Sequence, residues 1–121
     1  MSMTTKVPSD REGPGRDGGL ALAAALFHGL SDPSRLAILQ HLSLGEHRVR
    51  DLTEHLGLAQ STVSQHLAIL RSAGLISSHS HGRANVSRIE NPEAIEQVLA
   101  AAESLAAVIS ADGASRSKEP Q

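Results

Sequence analysis

The chain has 121 residues, a formal net charge of −2, a single aromatic residue (Phe27) and no cysteine. That length supports one domain with a modest core of Leu, Ile, Val and Ala, and so thin a core is easier to complete if two chains share it. The lack of cysteine excludes disulfides, thiolate metal sites and thiol redox switching. No apolar run is expected to reach the roughly 20 residues that span a membrane, and the N-terminus shows no hydrophobic signal core, so a cytoplasmic protein is expected.

Residues 1–18 are rich in Gly, Pro and charges of both signs. Lys6, Arg11 and Arg16 are offset by Asp10, Glu12 and Asp17, so an inert, disordered tail is expected rather than a basic arm. The folded domain is expected over 19–110, followed by a second disordered tail over 111–121.

Leu20 to Leu30 reads as the first helix. Leu20, Ala23, Ala24, Phe27 and Leu30 share a face, and Leu22 and Leu26 widen it. So broad an apolar surface suits contact with both its own domain and a partner chain, with packing inside one chain as the alternative. Asp32-Pro33 is a start signal for the second helix: a short carboxylate accepts free N–H groups, and proline at the first position lacks an N–H that would go unused. That helix carries Leu36, Leu39 and Leu42 and stops at Gly45. Arg35 near its start suits a phosphate or an ion pair with Asp32 or another carboxylate; we expect the ion pair.

Glu46 to Gly74 reads as two helices joined by a tight turn. The first, near Arg48–Leu56, places Val49, Leu52 and Leu56 at i, i+3 and i+7 on one face. Gly57 supplies the residue that tolerates positive φ beyond a helix end. The second, near Gln60–Ala73, has Val63, Leu67 and Leu70 as its apolar face. Its first half leaves Gln60, Ser61, Thr62, Ser64 and Gln65 for solvent, while His66, about 60° round from Val63, is expected to be half-buried and hydrogen-bonded locally and is a secondary candidate for DNA contact. No carboxylate occurs between Gln60 and Ile89. A helix that enters a major groove needs such a face, because it must approach phosphates without repulsion and offer donors and acceptors to base edges. Two helices with this arrangement have the geometry of a helix-turn-helix reader, while a merely solvated surface helix is the alternative.

After Gly74 the pattern changes. Leu75–His79 and Ala84–Ile89 can form short strands around the polar residues Ser80, His81, Gly82 and Arg83, which predicts a hairpin. A hairpin directly after such a helix is a wing, and Arg83 at its tip and Arg71 are candidates for phosphate or minor-groove contact. Glu90-Asn91-Pro92 closes the wing and begins a last helix with Ile95, Val98, Leu99, Ala102, Leu105, Ala106 and Ile109 as a long stripe. With the winged core complete, this stripe suits pairing with the first helix and with its own copy across a two-fold axis. The expected dimer interface is that stripe together with Leu22 and Leu26. The fold class is mainly α with a small β-hairpin, in the order α-α-α-α-β-β-α.

The segments DPSRLAILQHL, RDLTEHLGLAQSTVSQHLAILRSAGLI and HGR with its following strand resemble the ArsR/SmtB transcriptional repressors, over roughly Leu20 to Ala107. The resemblance implies a winged helix-turn-helix homodimer, a palindromic operator in double-stranded DNA and derepression by an inducer. It also implies departures. Relatives often carry Ser or Thr at the position of Ala59, where a hydroxyl caps the reading helix; Ser61 is the alternative cap. Relatives usually carry aromatics near Val86 and Ser87.

The resemblance bears on metals as well. Relatives that sense soft metals use two Cys in a motif like ELCVCDL, and Glu46–Leu52 puts Arg48 and Arg50 at both positions, where a guanidinium cannot ligate a cation. A second family site maps to about Asn91, Glu93, Ser104 and Ala107, leaving one carboxylate. His79 and His81 alternate on a strand and could form part of a Zn or Ni site, and His47 with His55 could form a patch near the dimer centre. Neither pair is enough for a site, so no metal and no cofactor is expected, and an unidentified small effector is left open. No nucleophile–base pair, phosphate-cradling loop or metal triad can be assembled, so an enzyme is not expected. The readings carried forward are a homodimeric DNA-binding repressor, a metal-responsive repressor with a non-standard His/Glu site, and a winged-helix module for protein contacts without DNA.

Overall fold

In the computed structural model, which describes residues 16–118 and the side chains of 18–113 within them, the helix starts read from sequence are built by identifiable contacts. Asp32 is extended and its Oδ2 accepts from the N–H groups of Ser34 (2.8 Å) and Arg35 (3.1 Å), opening the helix at Pro33. Helix α1 spans Arg16–Gly29, α2 Pro33–Leu42, α3 Val49–Leu56 and α4 Gln60–Ser72; strand β1 is His47–Arg48, β2 Ile76–His81 and β3 Ala84–Ile89; α5 is Pro92–Lys118. The chain divides into two units, Met1–Glu90 and Asn91–Gln121. The expected tail over 1–18 falls mostly outside the described residues, and α1 begins at Arg16. The expected tail over 111–121 lies partly outside them, and the rest of it is helix as far as Lys118. Gly113 inside that helix costs only about 1 kcal/mol relative to alanine, too little to end it.

The expected order of four helices, hairpin and helix holds, with one addition. The two residues of β1 pair with β3, giving an antiparallel sheet in the order β1-β3-β2 with Arg48 opposite Val86. Two residues carry no period-two signal, so this strand is invisible before the fold exists. In the hairpin, His81 pairs with Ala84, which leaves only Gly82 and Arg83 in the loop. Gly82 has φ 67°, a value that glycine adopts without penalty. Gly57 likewise ends α3 in the left-handed region, its N–H donating to the Thr53 carbonyl at 2.9 Å, and so sets the turn into α4.

The core of the first unit is aliphatic: Ile38, Leu39 and Leu42 of α2, Leu52 of α3, Val63, Leu67 and Leu70 of α4, then Leu75, Ile76 and Val86. Each such side chain contributes about 2 kcal/mol of transfer free energy. Ile38 takes the buried place expected for Leu36, which is half-buried, because α2 presents its face one step round. Val49 and Leu56 are also only half-buried. Buried Gly29 seats the end of α1: a Cβ there would lie 3.0 Å from both Ala73 Cβ and Leu75 Cδ1.

One expectation about the second unit is corrected. Pro92–Gly113, with a mean hydropathy of 1.4, is long and apolar enough to cross a membrane by length and composition alone. Alanine, valine and isoleucine raise the average without forming an uninterrupted run, and Glu96 and Glu103 interrupt it.

Candidate nucleic-acid interface

Helix α4 presents two faces. Val63, Leu67 and Leu70 are buried, while Gln60, Ser61, Ser64 and Gln65 are exposed and Thr62 is half-exposed. Ala59 is the N-cap, in extended conformation and without a side-chain bond to the helix; only its carbonyl accepts, from the Val63 N–H at 3.0 Å. Ser61 therefore lies inside the first turn and is not the cap. Uncapped N–H groups, a first turn without acidic residues and the positive end of the helix dipole together favour an anion such as a backbone phosphate.

This end of α4 borders a groove lined by Gln60, Ser64, the wing residues His81, Arg83, Ala84 and Asn85, and Arg48, Val49 and Arg50 at the start of α3. Three guanidinium-bearing residues and no carboxylate line it. The structure thus brings Gln60, Ser64 and Arg83 to one groove and adds Arg48 and Arg50, which the sequence showed only as lost thiolates. What places them is the β1–β3 pairing of Arg48 with Val86, a contact between residues far apart in sequence. Arg71 lies farther along α4, where its Nη1 donates to Ser78 Oγ at 3.3 Å at the base of the wing.

His66 is turned toward the protein. Arg35, only 6% exposed, donates from Nε to the Gly29 carbonyl (2.9 Å) and from Nη2 to the His28 carbonyl (2.9 Å) and Ser31 Oγ (3.2 Å). Its Nη1 lies 3.2 Å from His66 Nδ1. Guanidinium nitrogens only donate, so Nδ1 accepts and the neutral ring carries its proton on Nε2, which faces Asp32 Oδ2 at 3.7 Å. Among the described residues Arg35 thus makes hydrogen bonds in place of the ion pair expected of it. It satisfies the last carbonyls of α1, which have no partners within their own helix.

The wing residues also separate. His79 Nε2 is 3.8 Å from Glu46 Oε1, whereas His81 lines the groove. Ser87 is 1% exposed with its hydroxyl 3.3 Å from Ser78 Oγ, and Val86 is buried beside it, where the relatives' aromatics were expected. Ser77 Oγ donates to Glu90 Oε2 at 2.6 Å, and this bond, aided by Arg88, holds the Glu90 carboxyl below its ordinary value of 4.5.

Of the residues expected at a dimer interface, Leu22, Leu105 and Ile109 are 71%, 61% and 58% exposed, Ala102 and Ala106 are exposed, Leu26, Val98 and Leu99 are half-buried, and Ile95 is buried. Leu20, Phe27 and Val108 add further exposed apolar surface.

Comparison with known proteins agrees with this geometry. The family described as "Bacterial regulatory protein, arsR family" matches residues 32–78, from the cap of α2 to the middle of β2. The chain is 33% identical over 91 residues to the "Probable mercury resistance operon repressor" of Streptomyces lividans, covering 75% of this chain and 69% of that protein. It is 38% identical over 58 residues to the transcriptional repressor SdpR of Bacillus subtilis, a match covering 48% of this chain and 64% of the relative. A crystal structure of an ArsR family transcriptional regulator superposes with a TM-score of 0.57 at 32% identity, covering 69% of this chain and 94% of that one. The chain belongs to the arsR family of bacterial regulatory proteins and is a DNA-binding regulator of transcription.

Proposed function

We propose that the chain is a homodimeric repressor acting in the cytoplasm on a palindromic operator, each subunit laying the first half of α4 in a major groove. The observation that carries this is the carboxylate-free exposed end of α4 beside a groove lined by Arg48, Arg50 and Arg83. Ser61, Thr62, Ser64 and Gln65 are the base-facing candidates, and the Gln65 amide is chemically suited to adenine. Arg83 and Arg71 serve the phosphates or the minor groove, as do Arg48 and Arg50. His66 stays with Arg35 and positions α4 from behind. The exposed apolar residues of α1 and α5 serve the partner subunit, and two half-sites about 34 Å apart follow from a two-fold axis. Relatives named as repressors support repression as the outcome of binding.

Binding of the chain to DNA from its own promoter region, measured at two salt concentrations, tests this. Saturable binding that discriminates against unrelated DNA is expected. Gln65→Ala should weaken it by about 1–3 kcal/mol with an unchanged melting temperature. Sequence-independent binding, or none, would leave a winged-helix module for protein contacts as the better reading.

A further inference from the structure

A second, smaller pocket of about 260 Å³ lies beside the arginine groove, between α4 and the wing. Ser64, Leu67 and Arg71, on one face of α4, form one wall. The wing supplies the other: Ser78 and Ser87, paired across β2 and β3, and Asn85, on the same strand face as Ser87. Serine side chains are short, so the two walls do not close over Leu67, and Val49 of α3 completes the floor. Val49, Ser64 and Asn85 also line the groove, whereas Arg48, Arg50 and Arg83 have no part in this pocket.

Walls and floor differ in chemistry. Leu67 is buried and Val49 half-buried, so the bottom is aliphatic. Ser87 Oγ is 3.3 Å from Ser78 Oγ, which is itself 3.3 Å from Arg71 Nη1. Both distances are long for hydrogen bonds, so these groups are loosely held and keep donor capacity for a ligand. Among the described residues no carboxylate pairs with Arg71, and none lines the pocket. An exposed guanidinium at the rim of an aliphatic floor is matched by a planar anion that carries an apolar body. The carboxylate takes two parallel N–H groups of the fork, and the body covers Leu67 and Val49. A bare inorganic anion would leave that floor wet.

We propose that this pocket binds a small carboxylate with a short aliphatic or aromatic tail, and that its occupation lowers the affinity for DNA. The ligand neutralises Arg71 and sets its own negative charge where a phosphate has to approach. Its tail stands between α4 and the wing, so that the two elements hold either the ligand or the DNA backbone. A free carboxylate and a DNA phosphate make the same demand on Arg71, and the aliphatic floor is what favours the carboxylate. The regulatory half rests on the DNA contact proposed for α4 and Arg71, whereas the binding half does not.

The test is titration of the full-length chain with benzoate, benzamide and inorganic phosphate at constant ionic strength, read by proton–nitrogen NMR. Benzoate should give saturable shifts at the Arg71 Nε–H and at the Leu67, Ser78 and Ser87 amides. It should bind at least about 10-fold more tightly than benzamide, which lacks the charge, or phosphate, which lacks the body. Arg71→Gln should weaken benzoate by a similar factor, and Ser78→Leu, which fills the pocket and keeps Arg71, should abolish those shifts. Arg88→Gln, on the opposite face of β3 from Ser87, should change neither. Circular dichroism melts check that the variants fold. No saturable benzoate binding, equal binding of benzoate and either control, shifts confined to Arg48, Arg50 and Arg83, or binding that survives both Arg71→Gln and Ser78→Leu would each overturn the site. With promoter DNA, saturating benzoate should raise the Kd at least about 10-fold relative to chloride at the same ionic strength. Benzoate held in the pocket with an unchanged Kd for DNA would overturn the regulatory half and leave the DNA reading standing. Failure to bind DNA with or without benzoate would sink the DNA reading and the regulatory half with it, while the NMR titration still decides the pocket.

Discussion

The apolar stripes of α4 and α5 look alike in sequence and meet different fates. In α4, Val63, Leu67 and Leu70 are 0%, 2% and 0% exposed; in α5, Leu105, Val108 and Ile109 are 61%, 57% and 58% exposed. Helical periodicity says that a helix has a face to bury, and it does not say in what. In α4 the face is consumed by the aliphatic core of its own unit. In α5 the far half of the stripe is left exposed, as are Leu22 and Phe27 of α1, and this is the surface the proposed dimer would use.

That contrast can be broken most directly by truncation. Leu70→Ala should cost about 2–5 kcal/mol, seen as a lower melting temperature, because it opens a cavity in a sealed core. Leu105→Glu with Ile109→Glu should leave that core intact and instead shift the sedimentation coefficient to that of a monomer. Equal melting losses from both changes, with no change in mass, would sink the distinction.

Removing the polar contacts behind α4 should come next in size. Arg35→Met strands the Gly29 carbonyl and removes the donor to His66 Nδ1, while the His28 carbonyl keeps Ser31 as its donor, and it should cost about 1–3 kcal/mol in denaturant unfolding. A loss much smaller than this would mean that the end of α1 is held by Gly29 packing alone. On the outer face the signature should invert. Replacing Arg48, Arg50 or Arg83 by Ala should move stability by no more than about 0.5 kcal/mol. Each loss of a phosphate contact should lower the slope of log affinity against log salt by about 0.9. An unchanged slope in all three would remove the groove from the DNA surface.

The smallest effect belongs to the base of the wing. Ser77→Ala should let the Glu90 pKa rise toward 4.5, followed by carbon NMR of its carboxyl. A folded-state pKa below the unfolded one means that the ionised form is favoured in the fold. The associated stability is present above pH 4.5 and is lost as pH falls through the lowered value, so the variant should lose this part of its acid dependence.

Much of the fold was legible because its signals are local. The Asp32-Pro33 cap, the Gly57 turn, the Val63–Leu67–Leu70 face and the glycine hairpin at Gly82 each depend on residues within a turn or two of one another. The exposed first half of α4 was legible for the same reason. Arg35 was misread because its partners are carbonyl oxygens, which every residue possesses and no sequence pattern marks. Arg48 and Arg50 were missed as groove residues because β1 exists only through its pairing with β3. The tail boundary at 111 was misplaced because alanine and serine let a helix run past a single glycine.

By itself the sequence determined where helices begin, which faces are apolar and that no negative charge lies from Gln60 to Ile89. These follow from backbone sterics, helical period and composition, all of which act over a few residues. Only the tertiary structure decided that the start of α3 joins the wing, that Arg35 closes α1 rather than meeting a carboxylate, and that Arg71, Ser78 and Ser87 line one pocket. Such juxtapositions depend on how separated segments dock around a common core, and the free energy that selects that docking is carried by buried aliphatic area, which is silent about which polar side chains it brings together.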